Sequence, residues 1–188
     1  MTNEEFEIKI LRQHWIKDDG VYDKGDLCSH GELYIRIGEE ILSEKKSYSW
    51  ALSATGLFLL RTLKINYNIA DFDNYLVPCC GHFLIPDDNK NYVTISGCNE
   101  GIDWTIEHEN GNVKFTSEEG SVGKITFEQY KNMVLDFTDE IESFYGDPNK
   151  KEVTNDEFDQ NGFRQFWAEW TELKTEWRKT AHNTIYSK

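Results

Sequence analysis

The stretch SWALSATGLFLLRTLK, residues 49–64, decides the fold. Trp50, Ala51, Leu52, Ala54, Leu57, Phe58, Leu59, Leu60 and Leu63 cover nearly the whole circumference of a helix. A helix that is apolar all round has no face to give to water, so it is a buried one. Crossing a bilayer takes about 20 apolar residues, and the run from Trp50 to Leu60 is shorter and carries Ser53 and Thr55. It therefore reads as a core helix. Gly56 sits inside it at a cost of about 1 kcal/mol relative to alanine, which calls for a neighbour packed close against that position.

On both sides the pattern changes to period two. Phe6, Ile8 and Ile10 alternate with Glu7 and Lys9, as in a half-buried strand. Thr2 followed by Glu5 also matches a capping box and offers a short helix, but the alternation favours a strand. After the turn-rich DDGVYDKGD, GELYIRIGEE alternates again, with Gly38 expected to end or bulge the strand and Ile41-Leu42 to continue it. Beyond the helix come HFLIP, NYVTISG, IDWTIEH, NVKFTS and VGKITF. WTIEHENGNVKF is the clearest hairpin, because Asn110-Gly111 supplies the positive φ angles of a tight turn. Its alternation predicts Ile102, Trp104, Ile106 and His108 on one face, and Asp103, Thr105, Glu107 and Glu109 on the other.

Two amphipathic helices close the chain. Thr126 with Gln129 forms a capping box, followed at helical spacing by Phe127, Tyr130, Val134, Phe137, Ile141 and Phe144, with Gly146-Asp147-Pro148 as the stop. The polar linker NKKEVTNDEFDQNG leads to a stripe of Phe163, Phe166, Trp167, Trp170, Leu173 and Trp177, where Trp177 near the end is expected to be partly exposed. Strands, a buried helix, more strands and two helices describe an α+β domain on an antiparallel sheet of short strands. With no repeat and no long linker, residues 1–188 are expected to form one domain.

The chain has a formal net charge of -14 and a pI near 4.7. Such an exterior repels nucleic acid and anionic lipid and attracts a basic protein. The opening MTNEEFEIKILRQHW shows no basic segment followed by an apolar one, so a cytoplasmic protein with reduced thiols is expected. No nucleophile elbow, H-E-x-x-H or phosphate loop is present.

Two stretches, Cys28-Ser29-His30 and Cys80-Gly81-His82, share the form C-x-H. If both are extended and face one another, Cys28, His30, Cys80 and His82 offer the two thiolates and two imidazoles that tetrahedral zinc prefers, with Cys98 and His108 as spare donors. The competing reading makes these cysteines small core hydrophobes, with no cofactor. Adjacent Cys79 and Cys80 do not form a redox C-x-x-C pair. A cysteine nucleophile beside His30, His82 or His108 is a further formal possibility.

Nine acidic residues lie between Asp136 and Asp159, against Lys150 and Lys151. Asp139, Glu142, Asp147, Glu152, Asp156 and Glu157 mark this as one acidic face, and Glu100, Asp103 and Glu107 as a second. Both read as docking surfaces for a basic partner, where complementary charge speeds encounter.

The segments DLCSHGELYIRIG, SWALSATGLFLLRTL, VPCCGHFLIP and GIDWTIEHENGNV together resemble a family of small, uncharacterised bacterial proteins, and look similar to immunity components of bacterial toxin systems. The likeness spans roughly residues 6 to 177 and carries no catalytic signature, so it assigns no residue a role. It implies a non-enzymatic domain that neutralises a basic toxin domain through an acidic surface.

Overall fold

A computed structural model describes residues 5–18, 20–23, 25–44, 49–71, 75–79, 83–87, 92–97 and 99–183. The chain opens with β1 (Phe6–His14), a small ribbon of β2 (Lys17–Asp18) and β3 (Val21–Tyr22), and then β4 (His30–Ile37) and β5 (Glu40–Ser43). A two-residue strand, β6 (Trp50–Ala51), runs straight into the central helix α1 (Leu52–Thr62). Six short strands follow: β7 (Val77–Pro78), β8 (Phe83–Ile85), β9 (Thr94–Ser96), β10 (Gly101–Ile102), β11 (Trp104–Glu109) and β12 (Asn112–Ser117). β13 (Val122–Thr126) leads into α2 (Phe127–Tyr145), and α3 (Glu157–Asn183) closes the molecule. All strand pairs are antiparallel, and the fold is α+β.

The first sheet has the order β1-β4-β5, with β6 paired to the start of β4. Gly38 takes a positive φ of 55° and reverses the chain. Ile41 and Leu42 therefore lie on β5, folded back against β4, rather than extending it. The second sheet is β11-β12-β13. Its first turn places Asn110 at φ 48° and Gly111 at φ 81°, the left-handed pair that a two-residue hairpin demands.

The two sheets meet α2 through aromatic rings. Phe6 of β1 stacks on Phe115 of β12 with centroids 3.9 Å apart, and Tyr130 of α2 meets Phe115 edge-on at 5.2 Å. The Tyr130 hydroxyl shares a 2.6 Å hydrogen bond with Thr62 Oγ1, tying α2 to the end of α1.

Helix α1 is buried on nearly every side. Its N-terminus has no side-chain cap; the Leu52 amide instead donates to the Ser29 carbonyl at 2.8 Å. Gly56 faces α3, where a Cβ would stand 2.6 Å from Trp170 Cη2 and 3.0 Å from Ile141 Cδ1 of α2. The glycine therefore sets the distance between three helices. The Thr126–Gln129 capping box is complete, and Gly146 ends α2 at φ 69°. Trp170 is fully buried, and Trp167 and Trp177 are half-buried against the same core.

Candidate functional site

The cysteine and histidine positions can be placed only in part. Cys80, His82 and Cys98 lie outside the described residues. Cys28 sits in a bend ahead of β4, so it and His30 are not alternate residues of one strand. Both are buried. Burial, reinforced by the carboxylate of Asp26, pushes the Cys28 thiol up to about 12. A thiol so raised stays protonated at neutral pH, which disfavours nucleophilic attack. His30 Nε2 lies 3.1 Å from Asp26 Oδ1. Burial alone would raise the Asp26 carboxyl, but the bond from His30 and the Ile16 amide at 2.9 Å outweigh it and hold the carboxyl low. Among the described residues, no group of three or more His, Cys, Asp or Glu could hold a metal ion.

A neighbouring cleft of about 580 Å³ contains His14 and Ser49, which the sequence patterns did not single out. Ser49 Oγ and His14 Nε2 are 3.1 Å apart. The other ring nitrogen, His14 Nδ1, is buried without a hydrogen-bond partner among the described residues, so none of their carboxylates orients the ring as a catalytic pair requires.

The hairpin acids do not form the surface expected of them. Asp103 is buried, with 6% of its surface exposed, because β10 and β11 break at this position and the alternation slips. It accepts hydrogen bonds from Tyr67 Oη at 2.8 Å, the Leu76 amide at 3.2 Å and the Trp104 amide at 3.1 Å. Burial outweighs these bonds and pushes its carboxyl up to about 6. Glu107 is matched by Lys114, its direct cross-strand neighbour, at 3.0 Å. Glu109 is matched by Lys124 of β13 at 2.8 Å. Glu100 stays exposed, and its carbonyl accepts the Cys79 amide. Strand pairing has thus matched Glu107 and Glu109 with lysines.

The second acidic segment divides by helical face. Asp139 and Glu142 turn toward α3. There the buried Lys174 ammonium sits 2.5 Å from Asp139 and 2.8 Å from Glu142. Arg178 also pairs with Asp139, and Trp170 Nε1 donates to Glu142 at 2.6 Å. Asp147 caps the 3₁₀ turn Pro148–Lys150, and Asp156 accepts the Phe158 amide at the start of α3. Glu157, in the first turn of α3, suits the positive end of the helix dipole. Glu152 and Glu157 are exposed. Asp139, Glu142, Asp147 and Asp156 thus each hold a side-chain or backbone partner around the α2–α3 junction.

Asp136 and Glu140 are different. They are one helical turn apart on α2, exposed, and turned toward β1 instead of α3. Together with Glu7, Leu11 and Met133 they line a groove of about 600 Å³ between α2 and β1. Burial pushes the Glu140 carboxyl up. Neither Asp136 nor Glu140 has an ion-pair partner among the described residues. Glu7 across the groove is compensated by Lys9 and by Arg36, at 3.4 Å. The run of acids from Asp136 onward was visible in sequence; which of them would remain without a cation was not. That depends on which face α3 covers.

No helix among the described residues is long and apolar enough to cross a membrane. Comparison with family models, with curated proteins and with solved structures gives no match.

Proposed function

We propose that this chain is a cytoplasmic, non-enzymatic binding domain that holds a basic protein, such as a toxin domain, in the manner of an immunity protein. The observation that carries the reading is the uncompensated carboxylate pair, Asp136 and Glu140, beside a groove in a protein of net charge -14. Two exposed carboxylates one helical turn apart, with no cation among the described residues, leave a local negative field that a basic partner complements. The protonated Cys28 thiol and the unoriented His14 ring also favour binding over catalysis.

Affinity capture from cytosolic extract tests this, with the immobilised full-length protein at low and at high salt. A basic protein retained at about 20 mM salt and released near 0.5 M is expected, since surface charges are screened over about 4 Å at the higher value. Retention of no protein at low salt contradicts the proposal.

A further inference from the structure

The linker between α2 and α3, residues 146–156, belongs to the acidic segment, yet it shares with α3 a cavity whose described wall contains no acid. The cavity measures about 570 Å³, a volume typical of small-molecule sites. One side is α3, where Gln160, Phe163, Arg164, Trp167, Ala168 and Thr171 recur at the three- and four-residue steps of a single helical face. The other side is the linker, with Asn149 of the 3₁₀ turn, then Lys151 and Val153. Gln160 Nε2 donates to the Thr154 carbonyl at 2.9 Å and pins the linker to the helix.

The chain carries 34 aspartates and glutamates against 20 lysines and arginines, so a cation in it has acids to choose from. Arg61, Lys114, Lys124 and Lys174 each take one. The two cations of this cavity have no ion-pair partner among the described residues. Arg164 is exposed and gives Nη1 to Asn161 at 2.9 Å, which leaves the rest of its guanidinium uncommitted. Lys151 is half-buried, with its ammonium 3.4 Å from the centroid of the Trp15 ring. Burial lowers its pKa, and Asp26 and Asp23 oppose that without outweighing it. Trp15 is not part of the cavity wall, so Lys151 lends positive potential while Arg164 offers the direct contact.

The acids nearest in sequence are directed elsewhere. Asp147 accepts the Asn149 amide at 3.0 Å, Asp156 the Phe158 amide at 2.7 Å and Asp159 the Thr154 hydroxyl at 2.7 Å. Phe163 and Trp167 meanwhile give the cavity an aromatic base, and Val153 and Ala168 extend it with apolar surface. A bare inorganic anion would leave that surface unused.

We infer that this cavity binds a small organic carboxylate with a flat apolar body, the carboxylate on Arg164 and the body against Trp167 and Phe163. The planar guanidinium matches a carboxylate with two parallel hydrogen bonds. The negative charge of the whole chain does not forbid this, because exposed charges beyond about 10 Å are largely screened at ordinary salt. The cavity shares no residue with the groove of Asp136 and Glu140, so the inference stands apart from the basic-partner reading.

Phenylacetate and its neutral amide, phenylacetamide, test it by titration of the full-length protein, followed by nuclear magnetic resonance in a phosphate-free buffer. The reporter is the Trp167 indole N–H, which is buried without a hydrogen-bond partner among the described residues and can be assigned with W167F. Phenylacetate should shift this resonance and bind at least about tenfold more tightly than the amide, the scale of a hydrogen bond to a charged group. Arg164→Gln should remove most of that preference and leave the thermal midpoint unchanged, since Arg164 is exposed. Equal affinity for acid and amide, a preference that survives in R164Q, or no shift at about 10 mM phenylacetate overturns the inference. Inorganic phosphate binding as tightly as phenylacetate overturns it too, because the apolar body would then count for nothing.

Discussion

The hairpin of β11 and β12 carries two carboxylates, Glu107 and Glu109, and the helix α2 carries five, and the fold treats the two sets oppositely. In the hairpin, register places Lys114 directly across from Glu107, and β13 brings Lys124 to Glu109. Just ahead of the hairpin, Asp103 drops into the core where the strand breaks, and Glu100 stays exposed. In α2, the turn of about 100° per residue splits one acidic run between two faces. Asp139 and Glu142 reach Lys174 and become part of the α2–α3 contact. Asp136 and Glu140 reach the β1 groove and meet no cation among the described residues. Sequence-adjacent charge is thus a poor guide to surface potential; what counts is the partner each backbone geometry brings across.

The contrast breaks most visibly at Lys174. Its ammonium is buried and serves two half-exposed carboxylates, so Lys174→Met leaves Asp139 with Arg178 alone and Glu142 with only the Trp170 Nε1 donor. Removing one partner of a buried charge cluster costs about 2–4 kcal/mol, measurable as a shift in the urea midpoint at constant m. A loss below about 0.5 kcal/mol would place Asp139 and Glu142 back among the surface acids.

Asp103 gives a pH-dependent effect of intermediate size. Its carboxyl is raised by burial to about 6 from an ordinary 3.8. Between these values the folded state keeps a proton that the unfolded chain has released, so stability falls as pH rises from about 4 to about 6. Above that window this contribution is gone. Asp103→Asn should flatten the decline across this window and leave stability above pH 7 equal to or greater than that of the parent chain. A decline unchanged in D103N would assign it to another group. Below about pH 4 both proteins should lose stability together, as the depressed carboxyls of Glu7 and Asp26 are protonated.

The smallest effect is expected where exposed cross-strand pairs are removed. K114Q/K124Q releases Glu107 and Glu109 without touching the core. Thermal midpoints should stay indistinguishable from the parent, while low-salt affinity for a lysine-rich peptide rises by about twofold to threefold. An unchanged affinity would mean that the hairpin acids were never silenced by their lysines.

Local features were legible in the sequence because their causes are local. Asn110-Gly111 needs only its own backbone to specify a hairpin, and Thr126 with Gln129 needs only the first turn of α2. The requirement for a close neighbour at Gly56 also followed from helix propensity, though not the identity of Trp170. Three features escaped because they are set at a distance. The reversal at Gly38 depends on β5 finding β4 in preference to open extension. The burial of Asp103 depends on Tyr67 and Leu76 arriving from another part of the chain. The groove depends on β1 being at a sheet edge, which no pattern within Phe6–His14 encodes. The four-residue C-x-H donor set remains half placed, since Cys80 and His82 lie outside the described residues.

The central claim is that the partner's positive charge is read by α2 and not by the hairpin. Affinity for a lysine-rich peptide at about 20 mM salt, compared between D136N/E140Q and E107Q/E109Q, tests it directly, because both variants lose the same two charges. A loss of about tenfold in the first and less than about twofold in the second is expected, in line with local rather than net-charge recognition. Equal losses would mean that only total charge matters, and the distinction between the two acidic regions would fail.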